Sequence, residues 1–144
     1  MTGFQISSTS EKRLRGVHPD LVRVVRRTAR DWKDPETGWI ITCGVRTLAE
    51  QKVLVAKGAS RTLRSRHIPA ANGFSHAVDF ACTIKGVPRW DWPLYARLAK
   101  AVKAAAKAEK VPIEWGGDWT SFRDGPHFQL PWASYPGTIK GAKK

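Results

Sequence analysis

The spacing of apolar residues and the local composition along the chain predict three helices. In residues 19–32, apolar side chains recur at nearly helical intervals with arginines among them, and Pro19 suits a first helical turn. Residues 48–57 have a helix-forming composition and are followed by Gly58, a residue at which helices commonly end. The clearest pattern lies in residues 94–109, where one apolar stripe is opposite a row of lysines.

Shorter apolar runs between these segments predict strands. They occupy residues 39–43, 76–81, 112–115 and 127–130, and residues 34–38 (DPETG) predict a turn before the first of them. Helices and strands do not alternate regularly. This favours an α+β domain with a small antiparallel sheet and packed helices over a parallel α/β fold.

The chain has the length of one domain. Its 144 residues are enough for a hydrophobic core, and 42% hydrophobic residues with seven Trp favour a folded protein over a disordered one. We therefore expect a single domain over residues 1–144, with its core at about residues 18–132 and a polar, basic tail at residues 137–144.

The charge is the most unusual bulk property. Lys and Arg number 25 against 12 Asp and Glu, which gives a formal net charge of +13. Such a charge attracts nucleic acid, anionic lipid headgroups or an acidic cell-wall polymer, although it could also serve solubility alone. There is no apolar run of about 18 residues, and the N-terminal residues lack the apolar stretch of a secretory signal. We therefore expect a protein that stays in a cytoplasm unless another factor releases it.

Two cysteines, Cys43 and Cys82, are too few for a disulfide framework and lack the paired spacing of a thiolate zinc site. Both lie in apolar runs, so buried free thiols are the default interpretation. A single bridge between them stays open for a protein that matures in an oxidising compartment.

Two of the four histidines lie in unusual surroundings. His67 is in a polar loop, and Asp79 is embedded in the apolar run AVDFA. A carboxylate there is costly to bury unless a cation or strong donors meet it, and Zn²⁺, which accepts imidazole and carboxylate ligands, is one such cation. In a strand over residues 76–81, Asp79 would face away from His76. This favours His67 as its partner and leaves His76 as the alternative.

A second group of polar residues surrounds a Gly-Pro turn, where Asp124 precedes His127 by three residues. His127 would complete a His-Asp-His set of three ligands with one open position, which is typical of catalytic rather than structural zinc. Asp124 would then be the general base that takes a proton from water and passes it to the leaving amine, although a turn-capping Asp is the alternative. Arg46, just after the strand at residues 39–43, could stabilise an oxyanion.

Three separated segments carry a family resemblance: GVRTLAEQ, SRH…HAVDF and WGGDW…DGPHF. In order and spacing they resemble the D-Ala-D-Ala carboxypeptidase/L-alanyl-D-glutamate endopeptidase family of zinc peptidases, and above all its short bacteriophage endolysins. The likeness runs from about His18 to Trp132, and the opening segment RLRGVHPDLVRVVRR is similar to the N-terminal helix of those endolysins.

The resemblance implies a Hedgehog/D-Ala-D-Ala peptidase-like fold with one zinc ion per chain. It also implies a set of site residues: zinc ligands His67, Asp79 and His127, catalytic base Asp124, transition-state-stabilising Arg46 and substrate-binding Ser65. The chain departs from the family pattern His-x-x-Gly-x-Ala-x-Asp at one place. Here 12 residues separate His67 from Asp79, and Ser75 stands where the pattern has Gly, as a five-residue loop insertion would explain.

The activity implied by the resemblance is hydrolysis of the peptidoglycan stem peptide at the L-Ala–D-Glu bond. A D,D-carboxypeptidase acting on D-Ala-D-Ala is the alternative with the same chemistry, and a degenerate member that binds wall peptide without cutting it is another. The joint presence of Asp124 and Arg46 favours an enzyme. Of the tryptophans, Trp115 and Trp119 flank a Gly-Gly turn near His127, so one of them could form a wall of the substrate cleft.

The expected partners follow from the charge and the resemblance. The basic surface would hold a monomeric enzyme near acidic wall or outer-membrane polymers, after release from the host cytoplasm to the periplasm through a holin-type pore. A nucleic-acid-binding module is the alternative from a different class, supported by the charge and by interleaved Trp and Arg. That interpretation leaves the His and Asp residues unexplained, so we expect no nucleic-acid partner.

Overall fold

The computed structural model describes residues 4–60 and 65–136. Within them the chain forms helices and strands in mixed order. The helices are α1 (Ser8–Arg13), α2 (Pro19–Asp31), α3 (Leu48–Ala56) and α4 (Trp92–Glu109), with a short 3₁₀ turn at Gly116–Asp118. The strands are β1 (Thr37–Cys43), β2 (Ala77–Ile84), β3 (Val87–Arg89), β4 (Glu114–Trp115) and β5 (His127–Gln129).

The strands form one sheet in the order β1-β2-β5-β4, and β3 pairs with the end of β2. Each of these pairings is antiparallel. The architecture confirms the prediction of an α+β fold with a small antiparallel sheet. Strand β2 lies at the centre, so its residues have neighbours on both sides, which matters for the site described below.

The two faces of β2 differ in character because successive side chains of a strand point to opposite faces. Val78 and Phe80 are fully buried in the hydrophobic core, together with side chains of α2 and α4. Asp79, between them, is on the other face and is partly exposed. Asp79 therefore faces away from Val78 and Phe80, as the strand pattern predicted, and the side of the sheet around its carboxylate is called the polar face below.

Helix α1 and strand β3 are absent from the sequence-based prediction. Helix α1 (STSEKR) has no apolar stripe, but the Ser7 side chain accepts a hydrogen bond from Ser10 N and caps the helix. Ser10 is itself buried and its hydroxyl accepts the N–H of Ile41 on β1, 2.9 Å away. Tertiary contacts of this kind are invisible to a search for apolar periodicity.

The predicted element bounds are shifted by a few residues. The structure extends the predicted strand at residues 76–81 to Ile84, begins β1 at Thr37 inside the predicted turn, and begins α4 at Trp92 rather than at residue 94. His18, one of the four histidines, caps α2, because its Nδ1 accepts the N–H of Asp20 at 3.0 Å.

Both cysteines are free thiols, so the open alternative of a single bridge is not realised. Cys82 is buried, as predicted, whereas Cys43 is only partly buried. The prediction of burial for Cys43 is wrong because β1 ends there, at the polar face of the sheet. The predicted basic tail at residues 137–144 lies outside the described residues. Among the residues described, none of the helices is both long and apolar enough to span a membrane.

Substitution of Phe80 tests how much the packing of the hydrophobic core stabilises the fold. The Phe80 side chain is fully buried, and its ring centre lies 5.0 Å from that of Trp39 and 5.3 Å from that of Phe128. We expect Phe80→Ala to lower the free energy of unfolding by about 3–5 kcal/mol, because it opens a cavity between helices and sheet. Urea unfolding followed by tryptophan fluorescence measures this loss.

The matched control is Val87→Ala on the exposed strand β3, where 60% of the residue is accessible. We expect that change to stay within about 0.5 kcal/mol. Equal losses in the two variants would contradict the division of the sheet into a core face and an exposed edge.

Candidate metal centre and cleft

The carboxylate of Asp79 is the centre of the polar face. Its Oδ1 lies 3.2 Å from Nε2 of His67 and 3.1 Å from Nδ1 of His127. Its Oδ2 lies 3.6 Å from a guanidinium nitrogen of Arg46. Asp79 and His127 are directly opposite each other on β2 and β5, and His67 reaches the same oxygen from the preceding loop. The structure therefore brings the predicted residues His67, Asp79, His127 and Arg46 together.

Each imidazole is held by its outer nitrogen. The Nδ1 of His67 lies 2.8 Å from the carbonyl oxygen of Gly44, which can only accept a hydrogen bond. The Nε2 of His127 lies 2.7 Å from Oε1 of Gln129, whose amide nitrogen faces Glu114 at 3.5 Å. These partners accept a hydrogen bond from each outer nitrogen, so each inner nitrogen is left to meet a proton or a metal ion beside Asp79. Such outer hydrogen bonds are typical of histidines that bind a metal.

The inner nitrogen of His67 is buried without a hydrogen-bond partner among the described residues. A buried nitrogen of this kind is costly unless a cation or a proton meets it. Burial alone lowers the pKa of His67, but the adjacent Asp79 carboxylate outweighs burial and raises that pKa to about 10. Burial favours the neutral acid of Asp79, yet the two imidazoles hold its pKa far below the ordinary value. The geometry and the local negative potential therefore fit a bound cation.

The possible metal-binding groups overlap at Asp79. The ligand atoms of Cys43, His67 and Asp79 lie within 4.8 Å of one another, and so do those of Asp79, Asp124 and His127. Of the predicted ligands, His67 belongs to the first group, His127 to the second and Asp79 to both. The inner nitrogens of the two histidines lie close to the same carboxylate oxygen of Asp79. Nitrogen and carboxylate oxygen donors suit zinc, so the residues present fit the predicted ion.

Asp124 lies in the turn that leads into β5. Its backbone N–H donates to the carbonyl of Gly116 at 3.0 Å, and its own carbonyl accepts the N–H of His127 at 3.2 Å. A side chain at position 116 would clash with the Asp124 carbonyl, so glycine is required there. Burial and the charge of Asp79 raise the pKa of Asp124 above its ordinary value. A carboxylate with a raised pKa beside the candidate metal centre is suited to accept a proton.

Arg46 is held by contacts that sequence analysis did not predict. Its backbone N–H donates to the carbonyl of His67 at 3.0 Å, and its guanidinium donates to Oε1 of the fully buried Gln51 at 2.8 Å. Gln51 in turn donates to the Ser60 hydroxyl at 2.8 Å. A buried glutamine on the first turn of α3 is therefore part of the support of the candidate site.

A cleft of about 480 Å³ opens beside these residues. Ser65 lines it, and the hydroxyl of Ser65 accepts the backbone N–H of His67 at 3.2 Å. Trp119 also lines it, with its ring 5.3 Å from that of His127 and its N–H 2.7 Å from the carboxylate of Glu114. Glu114 and Trp132 are further lining residues that sequence analysis did not single out.

Trp115 lies in the hydrophobic core and is not among the described residues that line this cleft. Its N–H donates to the carbonyl of Gly125 at 2.7 Å. Of the two tryptophans considered for the substrate cleft, the structure thus brings Trp119 to the cleft and places Trp115 beneath the turn that carries Asp124.

The loop between His67 and Asp79 has its own internal bonds. The N–H of His76 donates to the carbonyl of Arg66 at 2.8 Å and closes the base of the loop, and the N–H of Ala70 donates to the carbonyl of Phe74 at 3.0 Å. His76 is buried away from Asp79, with its ring 5.3 Å from that of His18. Burial lowers the pKa of His76 to about 4. The inserted residues thus leave His67, rather than His76, at the carboxylate.

Gln129 and Gln51 show what sequence analysis missed and why. Each is a neutral amide whose role depends on the side chain that it contacts across the fold. The position of Gln129, two residues after His127 on the same face of a strand, is a weak signal that could have suggested a contact.

Comparison with known proteins places the whole arrangement in a family. The profile of the phage L-alanyl-D-glutamate peptidase family matches residues 2–130. The L-alanyl-D-glutamate peptidase of Listeria phage A118 is 36% identical over 117 residues, which cover 81% of this chain but only 39% of that protein. The corresponding peptidase of Escherichia phage T5 is 30% identical over 138 residues, covering 93% of this chain and 94% of that protein.

A solved structure agrees with these relatives. The crystal structure of the Serratia marcescens L-Ala D-Glu endopeptidase ChiX superposes with a TM-score of 0.80 at 42% identity, covering 94% of this chain and 96% of that one. The fold, the His-Asp-His arrangement on its polar face and these relatives lead to one conclusion. The chain belongs to the phage L-alanyl-D-glutamate peptidase family.

Proposed function

We propose that this protein is a zinc-dependent peptidoglycan endopeptidase that hydrolyses the L-Ala–D-Glu bond of the stem peptide. The observation that carries the zinc site is the convergence of two buried imidazole nitrogens on one oxygen of Asp79, with both outer nitrogens engaged by oxygen acceptors. The named activity of the phage relatives and of ChiX supports the choice of bond.

The roles of the side chains follow from their positions. His67, Asp79 and His127 would hold a zinc ion, which would act as a Lewis acid toward the scissile carbonyl. Asp124 accepts a proton from the attacking water and returns it to the leaving amine, because its raised pKa makes it a better proton acceptor than an ordinary carboxylate. Arg46, on the other side of Asp79, stabilises the negative charge that develops on the carbonyl oxygen.

The cleft suits an extended peptide with polar groups. Ser65 and Glu114 supply hydrogen-bonding groups along its wall, and Trp119 and Trp132 supply flat apolar surfaces. We propose that Ser65 and Trp119 contact the substrate. Glu114 accepts the Trp119 N–H and thereby fixes the orientation of that ring.

The basic surface is proposed to hold the enzyme at acidic wall polymers. Four arginines of α2 already pair with acidic side chains, namely Arg23, Arg26, Arg27 and Arg30. This pairing weakens the argument for nucleic-acid binding that rested on interleaved Arg and Trp. The exposed lysines of α4 are better placed to meet a polyanion. Action at the wall as a monomer, after release from the host cytoplasm through a holin-type pore, remains a prediction.

The metal ligands are tested by zinc content. We expect purified wild type to hold one zinc per chain and His67→Ala to lose it, because the variant lacks one inner nitrogen of the centre. The matched control is His76→Ala, which removes a buried histidine outside the cleft and should keep the metal. Elemental analysis of dialysed protein gives the answer. If His76→Ala loses zinc and His67→Ala keeps it, the first ligand is His76 and not His67.

The base is tested by Asp124→Asn, which keeps the shape of the side chain but removes its basicity. We expect the variant to retain zinc and to lose about 10²- to 10⁴-fold in kcat on purified peptidoglycan, the contribution typical of a positioned acid or base. Asp118→Asn is the control, because that exposed carboxylate pairs with Lys103 outside the cleft. Near-normal turnover by Asp124→Asn would exclude this residue as the base.

The electrostatic role is tested by ionic strength. We expect hydrolysis of intact anionic wall to fall between about 0.1 and 1 M salt, since the screening length shrinks from about 10 Å to about 3 Å. Replacing the exposed α4 residues Lys100 and Lys107 by Gln should flatten this dependence. A short soluble stem peptide is the control substrate and should show little salt effect. An equally flat profile on intact wall would refute the proposed contact.

A further inference from the structure

Three side chains of the polar face form a row across neighbouring strands. Asp79 on β2 is paired with His127 of β5 on one side and with Cys43 of β1 on the other. Residues directly opposite each other on neighbouring strands point to the same face of a sheet. The thiol of Cys43 therefore belongs to the same surface as the candidate zinc ligands.

A break in the strand register puts Cys43 in this row. Ile41 pairs with Phe80, so a regular antiparallel ladder would place Thr42 opposite Asp79. The register shifts between Ile41 and Cys43, and Cys43 takes that position instead. Irregularities of this kind re-aim side chains and are frequent next to active sites.

The surroundings of the sulfur point to a ligand. The Sγ of Cys43 lies within 4.8 Å of both the His67 imidazole nitrogen and an Asp79 carboxylate oxygen. Independently of the thiol, Nε2 of the buried His67 has no hydrogen-bond partner in the described part of the chain and is directed into the same space. A guanidinium nitrogen of Arg46 lies 3.6 Å from Sγ and supplies a positive charge beside it.

We propose that Cys43 is a further protein ligand of the metal, whose thiolate binds together with His67 and Asp79. The inference rests on the proposed function, since it assumes that this centre binds zinc. Sulfur, nitrogen and carboxylate oxygen are all donors that zinc accepts. With His127 as well, the protein would supply four ligands, which is the closed arrangement of structural sites. A thiolate in the fourth position would have to be replaced by water before the hydrolysis proposed above.

The test is the absorption spectrum of the Co²⁺-loaded protein, because a thiolate bound to Co²⁺ adds an intense near-ultraviolet charge-transfer band to the weaker visible bands of the ion. We expect this band in wild type and in Cys82→Ala, whose sulfur is buried on the core face. We expect it to be lost in Cys43→Ser, with the visible bands retained. Zinc affinity should also fall by about tenfold or more, since even groups outside the ligand set contribute that much.

A second measurement on wild type does not depend on the folding of a variant. Added Zn²⁺ should slow alkylation of Cys43 by about tenfold or more, because a thiolate bound to the metal is not available as a nucleophile. The buried Cys82 should react slowly with or without the ion and is the internal reference. Peptide mapping by mass spectrometry separates the two thiols.

The outcomes distinguish this inference from the proposed function. Visible Co²⁺ bands without the charge-transfer band in wild type, or a charge-transfer band that persists in Cys43→Ser, would overturn the role of Cys43 and leave the His-Asp-His centre standing. A wild-type protein that binds neither Co²⁺ nor Zn²⁺ would overturn both.

Discussion

Asp79 carries a negative charge on the central strand of the sheet, where burial alone would favour the neutral acid. The described structure offers it three positively charged or protonatable neighbours, Arg46, His67 and His127. Each neighbour is in turn held by an oxygen acceptor: Arg46 by the side chain of Gln51, His67 by the carbonyl of Gly44 and His127 by the side chain of Gln129. The loop that carries His67, helix α3 and strand β5 are thus all linked to the carboxylate of Asp79. A bound cation would also compensate the negative charge of that carboxylate.

The same strand also ties activity to stability. Phe80 and Asp79 are adjacent on β2, yet one packs among the core aromatics and the other faces the cleft. A shift of β2 by one residue would exchange the two faces, placing the carboxylate in the core and the phenyl ring in the cleft. The packing of Phe80 in the hydrophobic core therefore also fixes the position of Asp79 in the cleft.

Much of this arrangement could be predicted from the sequence. Helices α2 and α4 have clear apolar periodicity, and α3 has a helix-forming composition. An aspartate in the run AVDFA is conspicuous because its burial needs compensation. Strand alternation then separated His76 from Asp79, and the structure has the same separation. The family resemblance supplied the functional roles. Each of these signals lies within a short segment of the sequence.

The remaining features depend on contacts between distant segments. Helix α1 forms because of a cap and a buried serine, and Gln51 contributes only through Arg46. The place of Cys43 beside Asp79 depends on a register shift in β1, which no local pattern indicates. Neither apolar periodicity nor residue spacing carries information about which residues meet across a sheet.

The hydrogen bond between Arg66 and His76 has a further consequence for how the family can vary. It holds the two ends of the loop together, so that residues can be added between His67 and His76 without moving those ends. Lengthening the His67–Asp79 segment from the seven residues of the family pattern to 12 is less than a doubling, so its entropic cost is below about 0.6 kcal/mol. This loop is consequently a place where evolution, or an engineer, can add a recognition segment beside the candidate metal centre without rebuilding the centre itself.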